Sequence, residues 1–207
     1  MENINYEPLL PVGFLMGRLD TSSLPMQEMI DYLVENKANA GHSGNHDVSS
    51  HTQAEDIVIS DNVDCFQELM GVIDEGMENF TKGQVEIENI WGQVQDTGQC
   101  TAYHAHTDPY RRPDGKDLSF VFYLQADEMS GHLKFPIEVH GVDYGKTVVP
   151  NTGGIVIFPA HLPHYTYKNA SDSPRIVVSG NYRVKGFKQY RPQPKKQGSS
   201  NGKNETK

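Results

Sequence analysis

The sequence predicts a mainly β domain with flanking helices and a jelly-roll core. Three observations predict it. Apolar residues recur at helical spacing in two segments of the first half. From Val85 onward they recur in period two or in short runs bounded by Gly, Pro and Asp. Turns separate about eight such runs, the pattern of a sandwich or jelly roll.

The first helix is expected over Pro25–Asn36. Ser22 or Ser23 can cap it, Pro25 suits its first turn, and Met26, Met29, Ile30, Leu33 and Val34 line one face. Residues 38–56 are small, polar and rich in histidine, and read as a long loop, a lid or rim candidate. A second helix is expected from about Val63 to Phe80. Phe66, Leu69, Met70, Ile73, Met77 and Phe80 form its stripe, and Asp61 or Asn62 its cap. The strands follow: Val85–Val94, Cys100–His106, Leu118–Leu124, Gly131–Phe135, Thr147–Val149, Gly154–Phe158, His164–Lys168 and Arg175–Val184. Residues 1–187 are therefore read as one domain, with a helical and loop part over 1–84 and a β core over 85–187. Residues 188–207 hold Pro, Lys, Gly, Ser and Asn and are expected to be a disordered basic tail.

The chain of 207 residues is long enough for a sizeable core, and its net charge is −9. The tail carries six basic residues against Glu205, so the body is more acidic still. Such a body argues against binding nucleic acid through phosphates. Cys65 and Cys100 lack the spacing of a metal or redox pair and read as thiols in a reducing compartment. Leu9–Met16 is short and broken by Pro11 and Gly13, unlike a signal peptide or a membrane span. The expected location is cytoplasmic.

The chemistry lies in a set of separated residues. His106-x-Asp108 places an imidazole and a carboxylate on the same side of an extended backbone. Gly154–Pro159 is an apolar strand ending in proline, and His164 lies just beyond. Two imidazoles and one carboxylate make the facial triad of a non-haem Fe(II) site, with positions left open. Zn(II) fits the same ligands. His104 competes with Asp108, because His104-x-His106 with His164 makes a three-histidine site. His161 competes with His164, and the spacing to Arg175 favours His164. The reading from sequence prefers His106, Asp108 and His164. Arg175, eleven residues after His164, supplies a guanidinium for the far carboxylate of a keto acid.

His106-Thr-Asp-Pro109, Leu118-Ser-Phe-Val-Phe-Tyr-Leu124, Gly131-His-Leu-Lys-Phe135, Gly154-Ile-Val-Ile-Phe-Pro159 and Arg175-Ile-Val-Val-Ser179 together resemble the 2-oxoglutarate/Fe(II) dioxygenase superfamily. The nearest branch is the prolyl-4-hydroxylase-like one, including small oxygenases of bacteria and their phages with a closing S-x-N, here Ser179-Gly-Asn181. The resemblance runs from about Gly98 to Tyr182. It implies a double-stranded β-helix, iron on His106, Asp108 and His164, and 2-oxoglutarate held by Arg175, with Tyr123 and Ser179 as further contacts. It also implies O2 as co-substrate, ascorbate to keep iron reduced, and release of succinate and CO2 as a C–H bond is hydroxylated. A peptidyl prolyl residue leads as substrate. Gln125 and His132 depart from the branch's Asn and Gly, and an Arg111-Arg112 loop follows the first motif. The alternative without catalysis is a cupin-like jelly roll that binds metal and a sugar or protein partner.

Overall fold

The computed structural model describes residues 15–39, 55–106 and 117–185. The basic tail, residues 40–54 of the loop expected over 38–56, and the segment holding Asp108, Arg111 and Arg112 lie outside them. Among the described residues eleven strands and two α-helices follow in order. They are β1 (Leu15–Arg18), α1 (Met26–Asn36), β2 (Ile57–Val58), α2 (Gln67–Thr81), β3 (Val85–Gln95) and β4 (Leu118–Gln125). After these come β5 (Leu133–Phe135), β6 (Glu138–Val139), β7 (Val142–Asp143), β8 (Lys146–Val148), β9 (Gly154–Pro159), β10 (Tyr165–Thr166) and β11 (Arg175–Val184).

The largest sheet has the order β1-β9-β4-β11-β3-β2 and is antiparallel at every pairing. A second sheet, β10-β5-β8, is also antiparallel, and β6-β7 forms a small hairpin. This is the mainly β, two-helix architecture expected of a double-stranded β-helix. Alternation sorts the side chains of the large sheet. Phe120, Phe122, Leu124, Ile155, Ile157, Ile176, Val178 and Tyr182 share a core with Met29 and Leu33 of α1 and Leu69, Ile73 and Met77 of α2. Their neighbours Tyr123, Val156, Phe158 and Val177 form a second core with Leu133, Phe135 and Val148 of the small sheet. The helices therefore cover the outer face, and the space between the sheets is left for the site.

Helix α1 approaches the sheet closely at Gly92, where an added Cβ would lie 2.3 Å from a Leu33 methyl carbon. A one-residue slip at Asn181/Tyr182 in the β11-β3 ladder pairs Tyr182 with Ile87 and passes over Glu88. The slip turns Ile87 to the helix-side core and lets Glu88 reach Arg183, 2.8 Å away.

Several expectations change. Neither helix has a side-chain cap at its start. Ser22 donates its backbone N–H to Asp20, and Pro25 opens α1 through its carbonyl, which accepts from Met29 at 3.1 Å. A 3-10 turn over Asp64–Phe66 precedes α2. The expected strand Cys100–His106 is not continuous: it meets the segment after Leu162 through an isolated bridge between His104 and His164. The cause is Thr166, whose hydroxyl takes the Thr101 N–H at 2.8 Å and so replaces one rung of the ladder. Strand β1 was not expected; its exposed Leu15-Met-Gly-Arg18 shows no alternation and is held by β9 alone.

Gly92→Ala should destabilise the fold by about 1–3 kcal/mol through overpacking. Leu33→Ala should cost about 2–5 kcal/mol. The double variant should be more stable than the two losses summed, because each change makes room for the other. Urea unfolding of the four proteins checks this, and simple additivity would contradict the close packing.

Candidate metal and keto-acid site

The pocket between the sheets is lined by alternate residues of three neighbouring strands. Trp91 and Gln93 come from β3, Val121 and Tyr123 from β4, and Arg175, Val177 and Ser179 from β11. Their register neighbours point into the helix-side core, so the strand period that packs the helices also builds the pocket wall.

One end of the pocket is a cluster of imidazoles. Ring nitrogens of His104, His106 and His164 all lie within 4.8 Å of one another. His104 and His164 face each other across the backbone. The N–H of each donates to the other's carbonyl, at 3.0 and 2.8 Å, and their ring centroids are 4.3 Å apart. His106 is tied in separately, donating its N–H to Ala160 at 2.9 Å. Each ring has an acceptor on Nδ1. His104 donates to the Ala102 carbonyl at 2.8 Å and His164 to the Leu162 carbonyl at 2.9 Å. His106 meets the Asn181 amide oxygen at 2.6 Å and the Ser119 hydroxyl at 2.7 Å. A carbonyl cannot donate, so Nδ1 carries the proton and Nε2 keeps the lone pair. Burial first, and then the neighbouring imidazoles of His104 and His106, which oppose a second positive charge, hold the His164 pKa well below the ordinary histidine value. That ring therefore stays neutral, as a metal ligand must.

The fit to a metal rests on this arrangement. Nε2 of His104 and Nε2 of His106 are 3.0 Å apart. Metal–nitrogen bonds of about 2.1 Å at right angles would place two nitrogens about 3 Å apart. The donor set is borderline and suits Fe(II).

Arg175 stands at the other end, 1% exposed. It donates to the Gly131 carbonyl and, at 2.7 Å, to the Thr166 hydroxyl. Among the described residues no carboxylate pairs with it. Burial lowers its pKa to about 10, which still leaves it cationic at neutral pH. Tyr123 is buried beside it, and that burial raises the phenol to about 12 against the opposing pull of Arg175. Its hydroxyl is thus a donor at neutral pH. Thr166 follows His164 by two residues, about 7 Å along an extended backbone. A five-carbon diacid spans such an interval between a metal and a guanidinium.

Of the residues singled out from sequence, His106, His164, Arg175, Tyr123 and Ser179 all border this pocket. Asp108 lies outside the described residues. Trp91, Gln93, Thr101 and Thr166 went unnoticed. Asn89, Trp91, Gln93 and Gln95 alternate along β3, and polar residues in period two read as a solvent face. Here that face looks into the pocket. Asp56 accepts from Gln93 at 2.7 Å, and Gln93 accepts from Gln95 and Thr101 at 2.9 and 3.1 Å.

Residues 92–183 match the family profile of the 2OG-Fe(II) oxygenase superfamily. No curated protein sequence matches the chain. Solved structures share the fold. The α-ketoglutarate-dependent epimerase SnoN from nogalamycin biosynthesis has a TM-score of 0.65 and 16% identity over 83% of this chain and 77% of its own. A Pseudomonas putida prolyl-4-hydroxylase has a TM-score of 0.56 and 17% identity over 84% of this chain and 93% of its own. A Trichoplax adhaerens prolyl hydroxylase, solved with a peptide of hypoxia inducible factor, has a TM-score of 0.64 and 13% identity over 83% of each chain. Residues 92–183, the stretch that holds the three imidazoles and the buried guanidinium, are thus similar to the 2OG-Fe(II) oxygenase superfamily.

Proposed function

We propose that the protein hydroxylates a C–H bond of its substrate, a peptidyl prolyl residue being the first candidate. The observation that carries the reading is Arg175, a buried cation without a carboxylate partner among the described residues, facing the pocket that His106 and His164 close. A buried charge is costly unless it is paired, and the distal carboxylate of 2-oxoglutarate supplies the pair. Iron and 2-oxoglutarate, when bound, supply the oxidising chemistry: O2 is reduced as the keto acid loses CO2 to give succinate, and one oxygen atom enters the substrate.

The chain's own residues bind, orient and exclude water. His106 and His164 hold the metal, with Asp108 or His104 as the third protein ligand. Arg175 and Tyr123 orient the keto acid by charge and hydrogen bond, and Ser179 borders the same wall. Leu133, Val121 and Val177 keep the middle of the pocket apolar. Trp91 meets His106 edge-on with centroids 5.4 Å apart, and limits the room beside that ring. Asn181 and Ser119, 2% and 0% exposed, fix the His106 tautomer. The prolyl substrate is supported by the sequence resemblance to the prolyl-4-hydroxylase branch. Both cysteines are free, in keeping with a cytoplasmic enzyme. No helix among the described residues is long and apolar enough to cross a membrane.

With Fe(II), 2-oxoglutarate and ascorbate, the purified protein should form succinate slowly without substrate. Proline-containing peptides should accelerate it and gain one oxygen atom by mass spectrometry. His106→Ala should abolish both signals. A protein that never forms succinate above the iron-only rate would refute the activity. Arg175→Lys should weaken 2-oxoglutarate binding at least about 30-fold, since truncating a buried charge pair costs about 2 kcal/mol or more. Anaerobic titration of the Fe(II) protein, read by its visible charge-transfer band, measures this. Asn181→Ala should reduce metal affinity by about 10–100-fold through the loosened His106 ring, as judged by chelator competition.

A further inference from the structure

We infer that Gln95 is a positioning residue for the keto-acid end of the pocket. It is set by Asp56 through Gln93, and it acts through Thr101 and Thr166 on Arg175. This role deepens the proposed function and rests on its keto-acid site. It belongs to a row of side chains that takes no part in holding the metal.

The row begins with chemistry that leaves no choice. A carboxylate only accepts, so Gln93 turns its Nε2 to Asp56, at 2.7 Å. The Gln93 oxygen then faces Gln95. Gln95 spends both N–H groups in that direction, on the Gln93 oxygen at 2.9 Å and on the Thr101 hydroxyl at 2.6 Å. Thr101 gives its own proton to the Gln93 oxygen at 3.1 Å. One atom is left over. Gln95 Oε1 is buried and has no hydrogen-bond partner among the described residues. Turning the amide over would not cure this, because its oxygen would then meet the Gln93 oxygen that Asp56 holds in place. A buried acceptor without a donor is costly. A fold that keeps one sacrifices stability there for a functional arrangement.

The arrangement leads to the guanidinium. Gln95 is paired with Arg175 in the β11-β3 ladder. Thr101, gripped through its hydroxyl, gives its backbone N–H to the Thr166 hydroxyl oxygen at 2.8 Å. Arg175 gives an N–H to the same oxygen at 2.7 Å. With both lone pairs occupied, the Thr166 proton is left for the pocket that this side chain lines. The row thus fixes the direction in which Arg175 and Thr166 present donors to the far carboxylate of the keto acid. Its loss should be felt at that carboxylate and not at the metal.

The test titrates the full-length Fe(II) protein anaerobically with 2-oxoglutarate and, separately, with pyruvate, a keto acid without a far carboxylate. The visible charge-transfer band reads both affinities, chelator competition reads the metal, and thermal unfolding reads the fold. Gln95→Met keeps the bulk and removes the orphan oxygen, so its melting temperature should hold or rise. It should bind 2-oxoglutarate about 10-fold more weakly, the size of one hydrogen bond to a charged group. Its pyruvate and metal affinities should match the wild type. Asp56→Asn, which lets Gln93 turn either way, should shift the same affinity in the same direction, and it decides the matter if Gln95→Met does not fold. Thr101→Val should weaken 2-oxoglutarate as well. Combined with Gln95→Met it should add little, because both lie on one row; full additivity would overturn the route. Equal losses for 2-oxoglutarate and pyruvate would make Gln95 a merely structural residue and overturn the inference, as would an unchanged 2-oxoglutarate affinity. In either case a weakened Arg175→Lys protein leaves the proposed function standing. If the wild type shows no band with 2-oxoglutarate, or Arg175→Lys binds it as the wild type does, the keto-acid site itself is wrong and both readings fall.

Discussion

Strand alternation is the constraint on which this molecule depends. In β4 and β11 the alternate residues that face the helices are, Gly180 apart, large apolar side chains: Phe120, Phe122 and Leu124 in one, Ile176, Val178 and Tyr182 in the other. A slip of one residue would expose this set and bury the polar one. The helix contacts therefore hold the register, and the register decides what the inner face displays. Ser119 is opposite Asn181, and Tyr123 is opposite Val177, two residues from Arg175. The strands supply the anion end through Arg175 and Tyr123, and at their other end Ser119 and Asn181 meet the His106 ring. The imidazoles themselves come from the bridged segments around His104 and His164.

A pocket built this way collects groups that a folded protein normally avoids. Arg175 is nearly as buried as the phenylalanines of the core, and its two acceptors, a carbonyl and a hydroxyl, are neutral. They satisfy donors without neutralising charge. His164 is 4% exposed and kept uncharged by its surroundings. Tyr123 is kept protonated in the same way. Each state is costly or unusual alone, and each becomes favourable when a metal and a diacid bind together. Tyr182 shows the contrasting structural solution. Its burial raises the phenol, and its hydroxyl donates to Asp74 on α2, so its polar atom is satisfied inside the fold and has no part in the pocket.

The fold was legible because β4, β9 and β11 are apolar runs bounded by turn residues, and because α1 and α2 carry strong stripes. Arg175 and His164 stood out by motif spacing and Tyr123 through the family resemblance, and all three border the pocket. What escaped reading had physical reasons. β1 is short and exposed, held only by hydrogen bonds to β9, and leaves no hydrophobic signature. The polar row along β3 resembles a surface, since inward-facing and outward-facing polar residues have the same period. The place of His104 beside His164 also left no local signal. Its backbone exchange with His164 spans sixty positions of sequence, and a cross-chain register of that kind has no local pattern.

The three imidazoles are oriented by two different means, and this bears on how the site responds to change. His104 and His164 each lean on a carbonyl two residues back, a contact that survives as long as the local turn does. His106 leans on a row that crosses three strands. Ser119 donates to the Asn181 oxygen at 2.6 Å, and the Asn181 nitrogen donates to Asn89 at 2.7 Å. Those three residues stand level across β4, β11 and β3. The slip between β11 and β3 begins at the next residue, so it leaves the row intact while it frees Ile87 for the core. His106 is thereby coupled to sheet register, and its partners are local only to the fold. A change that loosens the helix-side packing of β11 would reach the metal through His106 before it reached the other two rings.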